Sequence, residues 1–187
     1  SAASDVYKRQ RLPASMNQVE YFGRGPAENY LDRNAGSMVG LYKSTAEELY
    51  FPYVRPQENG HHTDTRWVSL STGKKGLLIQ ADNTIGFNAL RNSIEDFDDE
   101  EATGLSRQWS NFTPEQVANH DEAAAKNVLR RQHHINDITP RDFVEVCVDL
   151  KQQGVAGYDS WGSRPEPAYT LPANREYNWG FTLIPLK

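Results

Sequence analysis

Alternation of apolar and polar residues with a period of two is the feature that most constrains the fold of this chain. It is clearest over residues 143–150, where the apolar positions are Val144, Val146, Val148 and Leu150. Residues two apart lie on the same face of a strand, and β-branched side chains favour that conformation. This segment therefore predicts a strand with one apolar face, and Cys147 on the opposite face beside Glu145 and Asp149.

The same period recurs in several shorter segments that are separated by polar connections. We predict further strands at residues 18–21, 66–70, 76–81 and 87–90, and a final strand in which Tyr177, Trp179, Phe181 and Leu183 alternate. The polar residues 71–75 read as a hairpin loop. Because no βαβ rhythm is present, the sequence predicts an all-β fold of the β-sandwich type.

One helix is predicted within this β pattern. Thr113, Pro114 and Gln116 supply an N-cap, a proline in the first turn and a capping-box partner. Strong helix formers follow up to Arg131. Because its apolar face is thin, we expect a surface helix.

Length and charge exclude several classes of protein. The chain has 187 residues, enough for one domain with a core, and a net charge of -5 at pH 7. An acidic balance argues against a nucleic-acid partner, and no apolar run approaches the ~20 residues of a membrane helix. The single cysteine, Cys147, excludes an internal disulfide and leaves cytoplasm and periplasm both open.

The first residues differ from the rest of the chain. Residues 1–10 show neither period two nor a helical period, and they lack an initiator methionine and a signal-peptide core. We expect residues 1–11 to be a non-native or disordered leader. Residues 12–187 are then one β-sandwich domain, incomplete at its amino-terminal side.

Residues 21–33 predict an unusual corner after the first of these strands. Gly23 and Gly25 flank Arg24, and Pro26 follows at once. Glycine admits positive φ, whereas proline fixes its own φ and restricts the residue before it. Two carboxylates, an amide and a guanidinium then crowd into the next few positions, which are Glu28, Asn29, Asp32 and Arg33. A buried corner of this composition needs internal hydrogen bonds and ion pairs.

No metal site or activated nucleophile is predicted. The acidic run at residues 95–101 lacks the glycine and the spacing of a calcium loop, so we expect a solvated segment. In the doublets His61-His62 and His133-His134, adjacent side chains on a strand point to opposite faces and do not readily share one ion. Cys147 in mid-strand favours a small core residue over a reactive thiolate.

An aromatic residue on a glycine-rich segment is the strongest candidate for binding. Residues 154–162 present Trp161 between glycines. An indole displayed by such a loop suits the apolar face of a sugar ring. The alternative is a core plug beneath the sheet, and the residues alone leave both interpretations open.

Four ordered motifs resemble a known family. They are Tyr-Phe-Gly-Arg-Gly-Pro-x-Glu-Asn-Tyr-x-Asp-Arg at 21–33, Tyr-Val-Arg-Pro-Gln-Glu-Asn-Gly at 53–60, Thr-Asp-x-Arg-Trp at 63–67 and Asp-Ser-Trp-Gly at 159–162. Together they resemble the carboxy-terminal domain (domain 5) of glycoside hydrolase family 2 β-galactosidases, which also occurs as a separate small chain in some bacteria. The resemblance spans residues 12–187.

This resemblance implies a galactose-mutarotase-like β-sandwich that belongs to an enzyme hydrolysing terminal β-D-galactosides such as lactose. The family's catalytic glutamates lie in a TIM barrel, so it implies no catalytic residue and no activity in this isolated chain. It implies that Trp161 binds substrate, with Asp159 and Ser160 as pocket support. Where related sequences read Gly-Gly-Asp-Asp-Ser-Trp, this chain has Ala156 and Tyr158 at the first and third positions.

The same resemblance implies partners and supporting residues. The partners would be a β-galactoside and the rest of a β-galactosidase, either its TIM-barrel domain or a large chain, and a homo-oligomer is a further option. Mg or Na ions would belong to other domains, with no cofactor in this chain, and the compartment would be bacterial cytoplasm or periplasm. Structural roles would fall to Arg24, Glu28, Asn29, Asp32, Arg33, Glu58, Asn59 and Arg66.

Two other functions stay open from the sequence. A stand-alone, non-catalytic carbohydrate-binding module would bind galactosides by itself, with quenching of Trp161 fluorescence. An aldose-epimerase-like protein would need an acid and a base on either side of the anomeric carbon, for which Glu58, His61 and His62 are the candidate set.

Overall fold

The computed structural model describes residues 2–3, 5–54, 56–97, 135–159 and 161–187. The predicted helix at 113–131, the second histidine doublet and Ser160 lie outside these residues, as does the acidic run from residue 98 onward. The chain divides into two compact units. The first consists of Ser1–Phe51, Asn59–Arg91 and Arg141–Lys187, and the second of Pro52–Glu58 and Asn92–Pro140.

Strands dominate the described part of the chain. Their bounds are β1 (Ala2–Ala3), β2 (Asp5–Pro13), β3 (Gln18–Gly25), β4 (Met38–Thr45), β5 (His62–Ser71), β6 (Gly76–Leu90), β7 (Phe143–Gln152), β8 (Leu171–Pro172) and β9 (Phe181–Leu186). Single 3₁₀ turns occur at Ile94–Asp96, Ile135–Asp137 and Pro167–Tyr169.

The main sheet is antiparallel, in the order β2-β7-β6-β5-β3-β4. Strand β9 pairs with the first part of β6, and β1 pairs with β8 in a separate two-stranded sheet. This confirms the predicted all-β class, and the antiparallel arrangement agrees with a β-sandwich. The galactose-mutarotase-like likeness stays a prediction.

The long strand β6 corrects one expectation. The sequence predicted separate strands at 76–81 and 87–90, but they form one strand of 15 residues. Its first part pairs with β9 and its last part with β7, while β5 runs beside both. Register shifts in β5 around Thr65 accommodate this path, and Asp64 there has a φ of 52°. The predicted hairpin loop is confirmed, because β5 ends at Ser71 and β6 begins at Gly76.

An aromatic cluster lies at the centre of the first unit. The Tyr21 ring lies 4.9 Å from His62 and 5.0 Å from Phe87, measured between ring centroids in edge-on geometry. Edge-to-face packing at this separation is favourable beyond the area that it buries. Aliphatic side chains from β3, β5, β6 and β7 complete the core, among them Val19, Val68, Leu70, Ile79, Val144, Val146 and Val148.

Strand β7 has the predicted apolar face, and its opposite face, which carries Cys147, Glu145 and Asp149, is buried as well. Glu145 is only 2% exposed and Asp149 5%. Glu145 tolerates burial because Arg11 donates to it at 2.9 Å, whereas Asp149 Oδ2 lies 3.3 Å from Nδ1 of His61 without a hydrogen bond between them. Cys147 is a buried core residue of the same strand, as the sequence predicted.

The amino-terminal residues also differ from expectation, since no strand was foreseen before residue 12. Residues 5–13 form β2, which pairs with β7 from Asp5↔Gln152 to Pro13↔Phe143. Ionic contacts support this pairing, because the side chains of Arg9 and Arg11 both reach Glu145. The proposed boundary between a leader at 1–11 and a domain at 12–187 stays a prediction.

Two further elements differ from the sequence interpretation. Strand β4 was not foreseen, because its apolar residues fall on both faces and give no alternation. The final strand begins only at Phe181, so Tyr177 and Trp179 precede it in irregular chain. The Tyr177 hydroxyl instead donates to the Pro172 carbonyl at 2.8 Å.

The described part of the second unit is held by backbone and side-chain hydrogen bonds. The Ile135 amide donates to the Val54 carbonyl, and the Asn92 side chain donates to the Thr139 carbonyl. Asp96 is 4% exposed and accepts the Ser93 amide at 2.9 Å, so this member of the acidic run is not solvated.

Candidate functional site

The corner at residues 21–33 is tightly packed, which explains its two glycines. A Cβ at Gly23 would overlap the Thr65 side chain, and one at Gly25 would overlap the Tyr21 hydroxyl. Neither glycine has a positive φ, so close packing rather than backbone freedom requires them. The Gly25–Pro26 peptide bond is cis.

Glu28 joins the corner to the start of β5. Its Oε2 accepts the Gly60 amide at 2.7 Å and the Tyr30 hydroxyl at 3.3 Å. Its Oε1 lies 3.0 Å from Arg33 Nη2, and the Arg33 guanidinium also lies over the Tyr30 ring. The Glu28 side chain is 7% exposed, so these contacts replace water around a nearly buried charge.

Asn29 is fully buried and uses both ends of its amide. Its Nδ2 donates to the carbonyls of Arg24 and Ala27, each at 3.1 Å. Its Oδ1 accepts the Thr63 amide at 2.9 Å and the Thr63 hydroxyl at 2.6 Å. A buried amide satisfied in this way fixes the corner against β5.

The other predicted structural residues make local contacts. Arg24 pairs with Asp64 and donates to the Ser37 carbonyl at 2.8 Å. Arg66 donates to the Asp64 carbonyl, and its guanidinium lies over the Phe22 ring. The two remaining members are Asn59, which is buried and accepts the Phe51 amide, and Glu58, which is half-buried in the second unit.

Asp32 turns away from the other charges of the corner and contacts the glycine-rich segment after β7. Its Oδ1 accepts the Val155 amide at 3.1 Å, and its Oδ2 accepts the Ala156 amide at 2.8 Å. The Tyr158 hydroxyl lies 3.4 Å from the same Oδ2. Gly154 packs directly on this carboxylate, since a Cβ there would lie 2.5 Å from Asp32 Cγ.

Residues 154–159 and 161–163, here called the tryptophan loop, are linked by internal hydrogen bonds. Asp159 Oδ1 accepts the Trp161 amide at 2.8 Å and the Ser163 amide at 3.3 Å. The Ser163 hydroxyl in turn accepts the Tyr158 amide at 3.1 Å. Gly157 and Gly162 have φ of 83° and 82°, values that residues with a side chain rarely adopt.

Trp161 stands out from this loop with 93% of its surface exposed. A core plug is therefore not its role in this structure. A large apolar ring held by an ordered loop offers a flat surface to a partner with a complementary apolar face.

The histidine doublet lies in the core and not in an open site. His61 and His62 are 2% and 1% exposed, and their rings stack on Tyr30 and Phe87 respectively. Burial lowers the pKa of His62 to about 4, against hydrogen bonds to the Pro26 and Gly60 carbonyls that raise it. Neither ring is placed to exchange a proton with a sugar in solvent.

The described residues contain neither a metal-binding cluster nor a membrane-spanning helix. Within the described ranges no group of three or more His, Cys, Asp or Glu side chains is arranged to hold a metal ion. Among those residues no helix has the length and apolar character needed to cross a membrane.

Sequence reasoning found the exposed tryptophan but missed the residues that hold its loop. The sequence did not predict that Asp32 holds this loop, with Gly154 and Tyr158 beside it. Asp32 and Val155 are 123 positions apart in the chain, so no local pattern connects them.

The described fold and site define an antiparallel β domain that displays a solvent-exposed indole on a loop tied to its own sheet. A family described as "Beta galactosidase small chain" matches residues 8–183. The chain therefore belongs to the β-galactosidase small-chain family.

Individual relatives agree with this family. The chain is 34% identical over 176 residues to a "Beta-galactosidase" of Priestia megaterium, covering 94% of this chain and 14% of that protein. It is 29% identical over 172 residues to a "Beta-galactosidase" of Vibrio cholerae, covering 92% of this chain and 13% of that protein. The chain thus spans about one seventh of the length of these relatives.

Proposed function

We propose that this chain works as the carboxy-terminal part of a β-galactosidase, in which Trp161 completes a galactoside pocket while the catalytic carboxylates lie in another domain. The observation that carries the proposal is the 93% exposure of Trp161 on an ordered loop. Such a ring stacks well on the apolar face of a galactose unit. Lactose and other terminal β-D-galactosides are the proposed substrate class.

An exposed apolar face supports docking onto the rest of such an enzyme. Phe22 pairs with Leu41 on one side and Trp67 on the other, so all three lie on one face of the sheet. The row continues through Gln80 of β6 to Thr182 of β9, and Ile184 and Leu186 lie on the same face two and four residues further along β9. Leu41 is 59% exposed, and Phe22, Ile184 and Leu186 are each more than a third exposed. Exposed apolar side chains gathered on one sheet face are typical of an interface.

The proposed partner for this face is the remaining polypeptide of the β-galactosidase, whether a TIM-barrel domain of the same chain or a separate large chain. Any Mg or Na ions would be held in those other domains. The epimerase alternative loses support because His61 and His62 are buried. For the other alternative, no contact among the described residues favours an independent binding module over a part of a β-galactosidase.

The experiment compares the isolated chain with the complete enzyme on a chromogenic β-galactoside. We expect hydrolysis by the complete enzyme and none by the isolated chain at equal molar concentration. Turnover by the isolated chain would place catalytic groups here and overturn the proposal. In a parallel measurement, faster change in the optical rotation of fresh α-galactose would favour the epimerase instead. Galactoside binding that quenches Trp161 fluorescence in the isolated chain would favour a binding module.

A further inference from the structure

We infer that Asp32 is a positioning residue for substrate binding, because it holds the tryptophan loop and thereby sets where Trp161 stands. This inference rests on the proposed sugar-binding role of Trp161 and adds a residue that acts through it. Asp32 itself is not expected to touch the sugar.

The contacts of Asp32 point to the loop rather than to the corner that contains it. Both of its carboxylate oxygens accept backbone amides of the loop, at Val155 and Ala156. Ionised carboxylates are acceptor-only groups, and their hydrogen bonds from amides are among the stronger ones in proteins. The other carboxylate of the corner, Glu28, is instead engaged by Gly60, Tyr30 and Arg33.

The loop needs such an anchor because its backbone is strained at the anchoring point. Ala156 has a φ of 55°, which is uncommon for a residue with a side chain. Its amide is the one that makes the shorter bond to Asp32, at 2.8 Å. Gly154 lets the backbone approach closely, since an added Cβ would lie 2.5 Å from Asp32 Cγ and Oδ2.

The position of Trp161 follows from this anchor through short links. Tyr158 both approaches Asp32 through its hydroxyl and donates its amide to Ser163. Asp159 then fixes the Trp161 amide and the Ser163 amide together. Asp32 therefore holds one end of a hydrogen-bonded loop and Trp161 projects from the other.

The test is a double-mutant cycle in the complete β-galactosidase that contains this chain. In Asp32→Asn, an NH₂ group replaces one of the two oxygens that accept the Val155 and Ala156 amides. Two donors would then face each other, so the loop should shift. We expect Asp32→Asn to raise KM at least fivefold with a smaller change in kcat. In a Trp161→Ala background, the same change should alter KM less than twofold, because nothing is left to position.

Hydrogen exchange supplies a readout that does not depend on substrate. We expect the Val155 and Ala156 amides to exchange at least tenfold faster in Asp32→Asn, whether or not Trp161 is present. Asp64→Asn is the matched control, because Asp64 pairs with Arg24 in the same corner and should leave these two amides unchanged. If Asp32→Asn folds poorly, Gly154→Ala takes its place, because it retains Asp32 but adds a Cβ that crowds the carboxylate. We expect the same rise in KM and in exchange at Val155 and Ala156.

The outcomes separate this inference from the proposed function. If Trp161→Ala leaves KM unchanged while exchange at Val155 and Ala156 rises in Asp32→Asn, the sugar-binding role fails and the anchoring role stands. If Trp161→Ala raises KM but Asp32→Asn changes neither KM nor exchange, the anchoring role is wrong. Multiplicative effects of the two substitutions on KM would also overturn it, since they indicate a general structural role.

Discussion

His62 shows how one buried side chain links packing to pH. Its ring lies between Tyr21 and Phe87, and Nδ1 is 2.9 Å from the Gly60 carbonyl, which favours the proton on that nitrogen. Burial is the largest cause of its low pKa of about 4, compared with an ordinary value of 6.5. The folded chain therefore holds a neutral imidazole where the unfolded chain would take up a proton.

This shift predicts loss of stability in mild acid. Between pH 6.5 and 4 the unfolded state binds more protons at this site, so its contribution is full above pH 6.5 and declines as pH falls toward 4. From pH 7 to 5 the loss should be about 2 kcal/mol. Urea unfolding of the chain at both pH values, compared with His62→Gln, measures it. An equal pH dependence in the variant would contradict this account.

Glu28 yields a second prediction at the scale of the residue. Glu28→Gln keeps an oxygen for the Gly60 amide but removes the charge that faces Arg33 in a nearly buried setting. We expect a loss of about 1–3 kcal/mol in the free energy of unfolding. Intrinsic sugar chemistry should not change, so kcat per folded enzyme should be retained.

The matched control for Glu28 is Glu47→Gln. Glu47 pairs with Arg91 but is 41% exposed, and exposed pairs are worth less than about 1 kcal/mol. Chemical denaturation of both variants provides the comparison. Equal losses would show that Glu28 acts as an ordinary surface charge.

At the scale of elements, the strands that could be predicted are those with a local alternation of apolar and polar residues. Strands β3, β5 and β7 and the hairpin loop after Ser71 were foreseen, since their alternation is local. Strand β4 was missed because Met38, Val39 and Leu41 occupy both faces of an exposed strand. The single strand β6 was divided in two, because the polar residues 82–84 interrupt its alternation and its two ends pair with different strands, β9 and β7.

The exposed face of β3, β4 and β9 predicts association of the isolated chain. Self-association is favoured when no partner covers the exposed apolar side chains of this face, which include Phe22, Leu41 and Ile184. Leu41→Lys should weaken that association at least tenfold while leaving the fold intact. Sedimentation at several concentrations measures it, with Lys74→Glu in the β5–β6 loop as a charge control. A wild-type chain that stays monomeric at high micromolar concentration would count against the interface.

At the scale of the whole molecule, some features of the candidate site could be predicted from the sequence and others could not. Trp161 was identifiable because glycines surround it and the Asp-Ser-Trp motif resembles a known family. Two further properties depend on contacts between distant segments and could not be predicted. They are the exposure of the Trp161 ring and the hydrogen bonds from its loop to Asp32. Period-two alternation likewise predicted the strand that contains Glu145 and Asp149, but it could not predict that both carboxylates would be buried.

The most direct measurement for the central claim is the KM of the complete β-galactosidase for a chromogenic galactoside, with Trp161 and with Trp161→Ala. Loss of a stacked indole should raise KM on the order of tenfold, equivalent to about 1.4 kcal/mol of binding free energy. Trp161→Phe, which keeps a ring, should lose less, and Phe51→Ala, which removes another exposed ring, should have little effect. An unchanged KM in Trp161→Ala, with the enzyme folded and active, would contradict the claim that this chain completes the sugar pocket.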